Sequence, residues 1–425
     1  MDKNKVNVLV IGGGGREHAI VRKISESARA GKIYCIPGNA GIAELAECRP
    51  GMSASDLDGI TAFVKEHKDV GLVMVAPDDP LALGLVDRLE AETSVRVFGP
   101  KKGAAEIEAS KVFSKNLMKK YGIPTAAYDT CGDAASARAI IKKAEYPLVI
   151  KADGLALGKG VKICAYLAEA ELAVTELMVD KAFGGAGSQV VIEEFLKGFE
   201  VSVLAFTDGK TVTPMISSQD HKRAFDGDKG LNTGGMGTYA PNRKYTEAHA
   251  ALAYEAVFVP TVRALEKEGR LFKGVLYFGL MIDGEDVRVL EYNARFGDPE
   301  TQVVLPLLKT DLLDIFDAVI DGRLDQINIE WSADTALCVV AASGGYPLGY
   351  AKGVPITIGK HDADVALYHA GTAFGAGGAL VTSGGRVIGV TAVAADLESA
   401  RKKAYDNIAA VNFEGIHYRK DIGTK

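Results

Sequence analysis

The sequence predicts a multidomain α/β and α+β protein: a doubly wound parallel-sheet domain first, a central region of strands, helices and glycine loops next, and a small strand-rich α+β domain last. Three observations predict it. Strand-like runs alternate with helical patterns up to about residue 103, which is the mark of a parallel sheet. The 48 glycines gather between strands and helices and form no repeat, so they read as loops where backbone approaches ligand. From about Trp331 onward strand patterns dominate, with one closing helix. At 425 residues the chain exceeds one ordinary core.

Val6–Ile11 is an apolar, β-branched run followed by Gly12-Gly13-Gly14-Gly15 and a helical pattern from Arg16 to about Arg29. A strand, a glycine turn and a helix N-terminus make an anion site. His18 stands where a dinucleotide fingerprint needs its third glycine, so a phosphate on a small substrate fits better than NAD. Lys32–Ile36, Gly71–Ala76 and Val95–Phe98 are the next strands, with a helix capped by Ser55 and another at Leu83–Glu92 between them. Their loops, Gly38 and Asn39 in one and Asp78 in another, meet at the strand carboxyl ends, where ligands of such sheets sit.

Ala104–Lys120 reads as one helix with Lys111 near its middle, stopped by Gly122-Ile123-Pro124. Tyr146–Lys151 and Lys162–Ala165 are paired strands joined by a loop holding Gly154, Gly158, Lys159 and Gly160, a flap able to fold over a triphosphate. A helix from about Glu169 to Val179 packs behind. Gln189–Glu194 is a strand whose extended end, Glu193 to Leu196, can read an adenine edge while Glu200 takes ribose hydroxyls; solvated acids are the alternative. Asp220 to Gly237 carries charges, an amide and three close-set glycines without apolar periodicity, so it is a loop with a function or without order. A helix from about Thr246 to Glu268 and the hairpin Val275–Ile282 with Val287–Leu290 follow. The last segment has strands at Ala336–Ala342, Val381–Thr382 and Val387–Val393 and a helix near Ser399–Ala410, with His369 and Arg386 in loops and in structural roles.

The hairpin delivers Glu291 to Gln302. Residues two apart share a strand face, so Glu291, Asn293 and Arg295 project together. A carboxylate and an amide oxygen suit Mg²⁺, and the arginine adds a five-donor fork for a phosphate. A strand end salt-bridged to Asp298 or Glu300 is the competing reading.

The net charge of −6 argues against a nucleic-acid or anionic-membrane partner. Five scattered cysteines without a Cys-x-x-Cys pair suit a reducing compartment, and no apolar run is long enough to span a membrane. A cytoplasmic protein is expected.

Asp220-His221-Lys222-Arg223, then Asn232-Thr233-Gly234-Gly235-Met236-Gly237, then Arg295-Phe296-Gly297-Asp298-Pro299-Glu300, stand in order with the N-terminal glycine loop, Lys151–Val161, His369–Thr372 and Gly384–Val387. Together they resemble the phosphoribosylamine–glycine ligases, the glycinamide ribonucleotide synthetases of the ATP-grasp superfamily, over nearly the full length. The resemblance implies a substrate-binding domain over 1–103, an ATP-grasp domain over 104–330 with a mobile lid at about 123–196, and a C-terminal domain over 331–425. It implies ATP-dependent ligation of glycine to 5-phosphoribosylamine through glycyl phosphate, with Mg²⁺, or Mn²⁺ as an alternative, in a monomer or weak dimer. Lys111, Lys151, Gly154, Gly158, Lys159 and Gly160 would hold the phosphates of ATP, and Glu193, Glu194, Leu196 and Glu200 its adenosine. Glu291 and Asn293 match metal ligands, while Arg295, Asp220 and Lys222 are the catalytic candidates, Asp220 to orient an amine. Gly13, Gly14, Gly15, Arg16, Gly38, Asn39, Asp78, Arg223, Asn232, Thr233, Gly234, Gly235, Met236 and Asp298 would line the remaining substrates. Three departures stand out: Met281 where many relatives of this superfamily have a second metal acid, Phe199 before Glu200, and Ala76-Pro77-Asp78 where Gly-Pro-Glu is commoner. Another ATP-grasp ligase or carboxylase, and a nucleotide sensor without catalysis, are the rival readings.

Overall fold

The computed structural model describes residues 5–155, 160–182 and 187–424. Gly158 and Lys159, with residues 156 and 157 of the expected flap, lie outside the described residues. The N-terminal sheet has five parallel strands in the order Glu47–Cys48, Ala30–Pro37, Val6–Gly12, Val70–Val75, Arg96–Phe98. Val8 to Ile11 are wholly buried, as both faces of a parallel sheet are covered. Gly12 is in register with Pro37, and Gly38 N donates to Gly12 O at 3.1 Å, so the two glycine-bearing loops leave the sheet side by side. A Cβ on Gly13 would stand 2.5 Å from Gly38 O, which leaves glycine as the residue that fits.

Several helices start or stop elsewhere than expected, each for a local reason. The first is Gly15–Ser25, short of Arg29. Asp56, not Ser55, caps Leu57–Glu66, because its carboxylate accepts from Gly59 N. The stretch at Leu83–Glu92 is two helices, Asp78–Leu83 and Leu85–Glu92, parted by Gly84 at φ +94°. The long helix through Lys111 is also two, Lys102–Ala109 and Lys111–Tyr121, so Lys111 opens the second instead of sitting mid-helix. Ser110 makes the break: its hydroxyl accepts from Phe113 N and donates to Asp153, whose carboxylate also takes Val112 N. Glu247–Ala253 runs through a wide turn, Tyr254–Phe258, into Val259–Lys267; the wide turn precedes Pro260, which has no N–H for a regular helical bond.

Two four-stranded antiparallel sheets form the middle. One runs Tyr128–Cys131, Val190–Glu194, Leu148–Ala152, Val161–Cys164, backed by Ala134–Ile141 and Leu167–Val174; this last helix continues as a wide turn, Thr175–Val179. The other runs Val212–Pro214, Phe199–Thr207, Gly274–Asp283, Asp286–Asn293. The last sheet is shared. Its order is Gln219–Asp220, Gly237–Ala240, Thr335–Ala342, Arg386–Ala394, Ala366–His369, so two strands of the central loop region complete the C-terminal sheet. The small C-terminal strand-rich domain is as expected, and residues from before it complete its sheet: Gly237–Ala240 finds its backbone partners on Thr335–Ala342. No helix among the described residues is long and apolar enough to cross a membrane.

Candidate functional site

The strand Asp286–Asn293 carries Glu291 and Asn293 to the cleft, with a register shift between the pairs Gly279/Glu291 and Leu280/Val289. Lys222 Nζ stands 3.0 Å from Glu200 Oε2 and 3.4 Å from Glu291 Oε1, so one ammonium joins the expected ribose acid to the expected metal acid. Lys222, opposing the effect of burial, holds the Glu291 carboxyl down at about 2. Arg295 takes neither Asp298 nor Glu300. Its Nη2 pairs with Glu108 Oε1 at 2.8 Å and donates to Asn293 Oδ1 at 3.1 Å, while Nη1 donates to Phe296 O. Burial raises the proton affinity of Glu108, but Arg295 and the Ala294 amide at 2.7 Å from Oε2 both favour its carboxylate. The residue facing Glu291 across the hairpin is Gly279; Met281, where a second acid was looked for, pairs with Arg288. A Cβ on Gly279 would stand 3.0 Å from Glu291 Cγ, so the space beside Glu291 is kept clear. An ionised carboxylate, a nearby amide oxygen and that space fit Mg²⁺, which takes few protein ligands and fills its shell from water and phosphate. Among the described residues no group of three His, Cys, Asp or Glu offers a metal cage.

The lysines lie on one flank. Lys151 donates to Leu290 O at 2.9 Å and stands 3.1 Å from Glu193 Oε2. Lys115, one helical turn after Lys111 and absent from the sequence expectations, reaches the same oxygen at 3.0 Å and donates to Thr125 Oγ1. Glu193 Oε1 is buried and has no hydrogen-bond partner, an acceptor that an amino group would satisfy. Glu194, next along the strand, points the other way, to Arg288 and the Ala127 amide, and lines a cleft at the strand ends. Leu196 is half-buried beside Phe195, Met281 and Arg288 in a cleft at the strand ends. Lys111 Nζ donates to Gly154 O at 2.9 Å, and Ala152 N donates to Gly160 O, so the base of the flap is tied to the Lys111 helix.

On the opposite flank the glycine loop meets residues 298–302. A Cβ on Gly14 would lie 3.6 Å from Asp298 Oδ2, and one on Gly15 would lie 2.6 Å from Gln302 Nε2. The helix N-terminus is not wholly open: Gly14 N already donates to Glu17 Oε2 at 2.6 Å. Arg16 is buried and spent on Glu17 Oε1 and Phe296 O, so it braces the 291–302 stretch instead of offering a free cation. Asn39 likewise positions: its amide nitrogen bonds Gly13 O and His369 O, and its oxygen takes Gly41 N and Ile42 N. Asp78, on the first turn of its helix, adds to the acidic field that holds Arg295 charged.

Arg386, expected to be structural, enters this flank. It pairs with Asp298 Oδ2 at 3.1 Å and donates to Asp298 O and Gly234 O. Against burial, Arg386 keeps Asp298 below its ordinary range. Gly235 has φ +110°, and a Cβ there would stand 2.4 Å from Pro299 Cδ and 2.6 Å from Asp220 Oδ1. Burial and then Glu300 push Asp220 well above the ordinary carboxyl range. Thr233 builds the turn, its hydroxyl donating to Lys222 O and accepting from Gly235 N. Two expected substrate contacts have other partners in this structure. Met236 is wholly buried and its backbone is bonded to His221 and Val340, and Arg223 lies along the hairpin to Asn232 with its guanidinium on Gly230 O.

The C-terminal sheet docks here through His369, whose N–H donates to His18 Nδ1 at 2.9 Å. The rings are 5.7 Å apart, and Gly41 packs so closely that a Cβ would meet both. Burial lowers His18 to about 3 and His369 and His221 to about 4. Depressed folded values mean that stability is complete above pH ~6.5 and drains as pH falls through 4 to 3. The melting temperature is expected to drop across that window, against the opposing trend of Asp220, Glu108 and Glu300. His369→Gln should flatten the Tm–pH slope between pH 6.5 and 4; an unchanged slope would remove the histidines from the account.

Comparisons agree along the whole chain. Residues 6–108 match the phosphoribosylglycinamide synthetase N domain, 109–301 its ATP-grasp (A) domain and 336–425 its C domain. A phosphoribosylamine–glycine ligase of Caldanaerobacter subterraneus is 47% identical over 98% of this chain and 99% of that one, and one of Halalkalibacterium halodurans is 46% identical over 99% and 97%. Among solved structures, the phosphoribosylamine–glycine ligase of Thermotoga maritima superposes with a TM-score of 0.86 at 35% identity, covering 98% of this chain and all of that one. The biotin carboxylase domain of a Hydrogenobacter thermophilus 2-oxoglutarate carboxylase superposes at 0.75 with 15% identity, covering 97% and 91%, which is a likeness of fold.

Proposed function

The chain belongs to the phosphoribosylglycinamide synthetase family of ATP-grasp ligases in purine biosynthesis, and from that premise we propose that it joins glycine to 5-phosphoribosylamine through glycyl phosphate on the residues described above. The observation that carries the reading is the placement of Glu291, Asn293 and Arg295 between two unlike flanks. Lysines and an unpaired Glu193 oxygen lie on one, and glycine loops with Asp298 on the other.

A carboxylate is a poor acyl donor, so glycine first attacks the γ-phosphate and ADP leaves. The amine then attacks the acyl carbon and expels phosphate. Lys111 and Lys151 neutralise phosphate oxygens, Glu193 accepts from the adenine amino group, and Glu200 takes ribose hydroxyls once Lys222 yields to the nucleotide. Mg²⁺ on Glu291 and Asn293, for which Mn²⁺ could substitute, supplies charge neutralisation at the transferring phosphoryl group. Arg295 is aimed by Glu108 to stabilise charge that builds during transfer. The loop 152–160 excludes water, which would otherwise hydrolyse the acyl phosphate. Gly13 to Gly15 and Gly38 offer backbone to the sugar phosphate, and Asp220 orients the amine. We read the enzyme as cytoplasmic, and as a monomer or weak dimer.

ADP release with Mg-ATP, freshly generated phosphoribosylamine and glycine, omitting each in turn, tests the reading. ADP formed without the amine, or only with another acceptor, would overturn the substrate assignment. Glu291→Ala is expected to raise the Mg²⁺ concentration for half-maximal turnover by about tenfold or more; an unchanged Mg²⁺ titration would move the metal elsewhere.

A further inference from the structure

Beneath the loop read above as the sugar-phosphate site lie two cysteines that catalysis does not use. Cys35, in Ala30–Pro37, and Cys48, in Glu47–Cys48, are ladder partners on adjacent parallel strands. Their side chains therefore leave the same face of the sheet. Neighbouring strands run about 4.8 Å apart, inside the roughly 4.4–6.8 Å Cα separation that disulfides span. The two thiols are close enough to perturb each other's ionisation. Cys35 is fully buried and its Sγ–H also donates to Gly12 O at 3.2 Å; Cys48 is only half-buried. Gly38, at φ +77°, lies directly on the pair: a Cβ there would stand 2.3 Å from Cys48 Sγ and 3.6 Å from Cys35 Cβ. One sulfur thus supports the loop of Gly38 and Asn39, and the other supports the glycine turn that begins at Gly12.

We propose that Cys35 and Cys48 are a modification site for hydroperoxides, closing to a disulfide that shifts Gly12 and Gly38 and weakens binding of the phosphate-bearing amine. The functional half of this proposal rests on the reading of that loop given above. Cys48 is the attacking sulfur, since it is the more accessible and its contact with Cys35 favours its thiolate. Cys48 releases its proton to solvent, the thiolate attacks one peroxide oxygen, the O–O bond breaks, and the departing hydroxide takes a proton from solvent to leave as water. The sulfenic acid on Cys48 is then attacked by the Cys35 sulfur, forming the S–S bond and releasing a second water. The two sulfurs together lose two electrons and hydrogen peroxide gains them. A dithiol reductant reverses the change. Closure deprives Gly12 O of its S–H donor and draws the Cys48 sulfur from beneath Gly38.

The test treats the reduced chain with hydrogen peroxide, then alkylates free thiols and maps peptides by mass spectrometry, with kinetics before and after. A Cys35–Cys48 disulfide reversed by dithiothreitol is expected, together with a several-fold rise in KM for phosphoribosylamine and no change in KM for Mg-ATP. Cys48→Ser and Cys48→Ala should keep the reduced activity and lose the response. Cys48 remaining a thiol, passing only to sulfinic acid, or forming the disulfide without any change in KM would overturn the proposal, as would a response that survives in either variant. If the reduced chain does not use phosphoribosylamine at all, the substrate reading falls, and the peptide map still decides whether the dithiol closes.

Discussion

Arg295→Ala is expected to lower kcat by about 10²–10³-fold while changing KM for ATP by no more than a few-fold. The expectation comes from how the guanidinium is held. Glu108 at 2.8 Å, Asn293 at 3.1 Å and the Phe296 carbonyl at 3.1 Å fix the plane of the fork, and Nε is buried without a partner. A cation fixed in this way has little reorganisation left to do when charge develops, which is where such groups act. On the proposed reading ATP in its ground state keeps Lys111 and Lys151, so its binding should lose little. Arg295→Lys separates charge from geometry. It retains a cation but not the planar fork, so it should recover a minor part of the loss. Glu108 would be left buried beside an apolar gap in the alanine variant, and since burial already favours its protonated form, it can neutralise instead of unfolding the site. Steady-state kinetics with thermal melts of all three proteins decide the matter. A rise in KM for ATP at constant kcat would assign Arg295 to ground-state binding.

What the sequence made legible follows physical lines. Val8 to Ile11 and Val73 to Val75 read as strands because burial on both faces demands unbroken apolar runs. The hairpin was legible from the apolar run Val275–Leu280, and so were the glycines at Gly12 to Gly15 and Gly234 to Gly235, where a neighbouring backbone or side chain leaves no room for a Cβ. The break at Ser110 was not. Its stabilising partner, Asp153, lies 43 residues away, and nothing local forbids a continuous helix. Glu108 and Arg386 escaped likewise, because a charged residue at the end of a helix or strand looks solvated until its distant partner is placed. Met236 shows the reverse error: it stands inside a polar glycine motif, yet its side chain is core. Pattern gives local form, and the partners of buried charges come only from topology.

Glu193→Ala is expected to cost about 3–5 kcal/mol of stability, the range for breaking a buried ion cluster by removing one partner. Lys115, Lys151 and Glu193 expose 3%, 8% and 2% of their side chains, so water cannot stand in for the lost carboxylate. Two ammonium groups would then face each other in the interior. The location makes the loss specific: Lys115 lies on Lys111–Tyr121, whereas Lys151 and Glu193 lie on adjacent strands of the antiparallel sheet between 128 and 194, so the cluster joins that sheet to the helix. Burial already lowers Lys115 to about 8, against the pull of Glu193. Without Glu193 its folded value falls further below that of the unfolded chain. The penalty for keeping it neutral, or charged and unpaired, shrinks as pH rises toward the unfolded value near 10.4. Urea unfolding at pH 6 and pH 9 should therefore give a larger loss at pH 6. A loss below about 1 kcal/mol at both values would mean that the three charges are solvated in the working protein. The sheet would then have to be joined to the helix by apolar contacts alone.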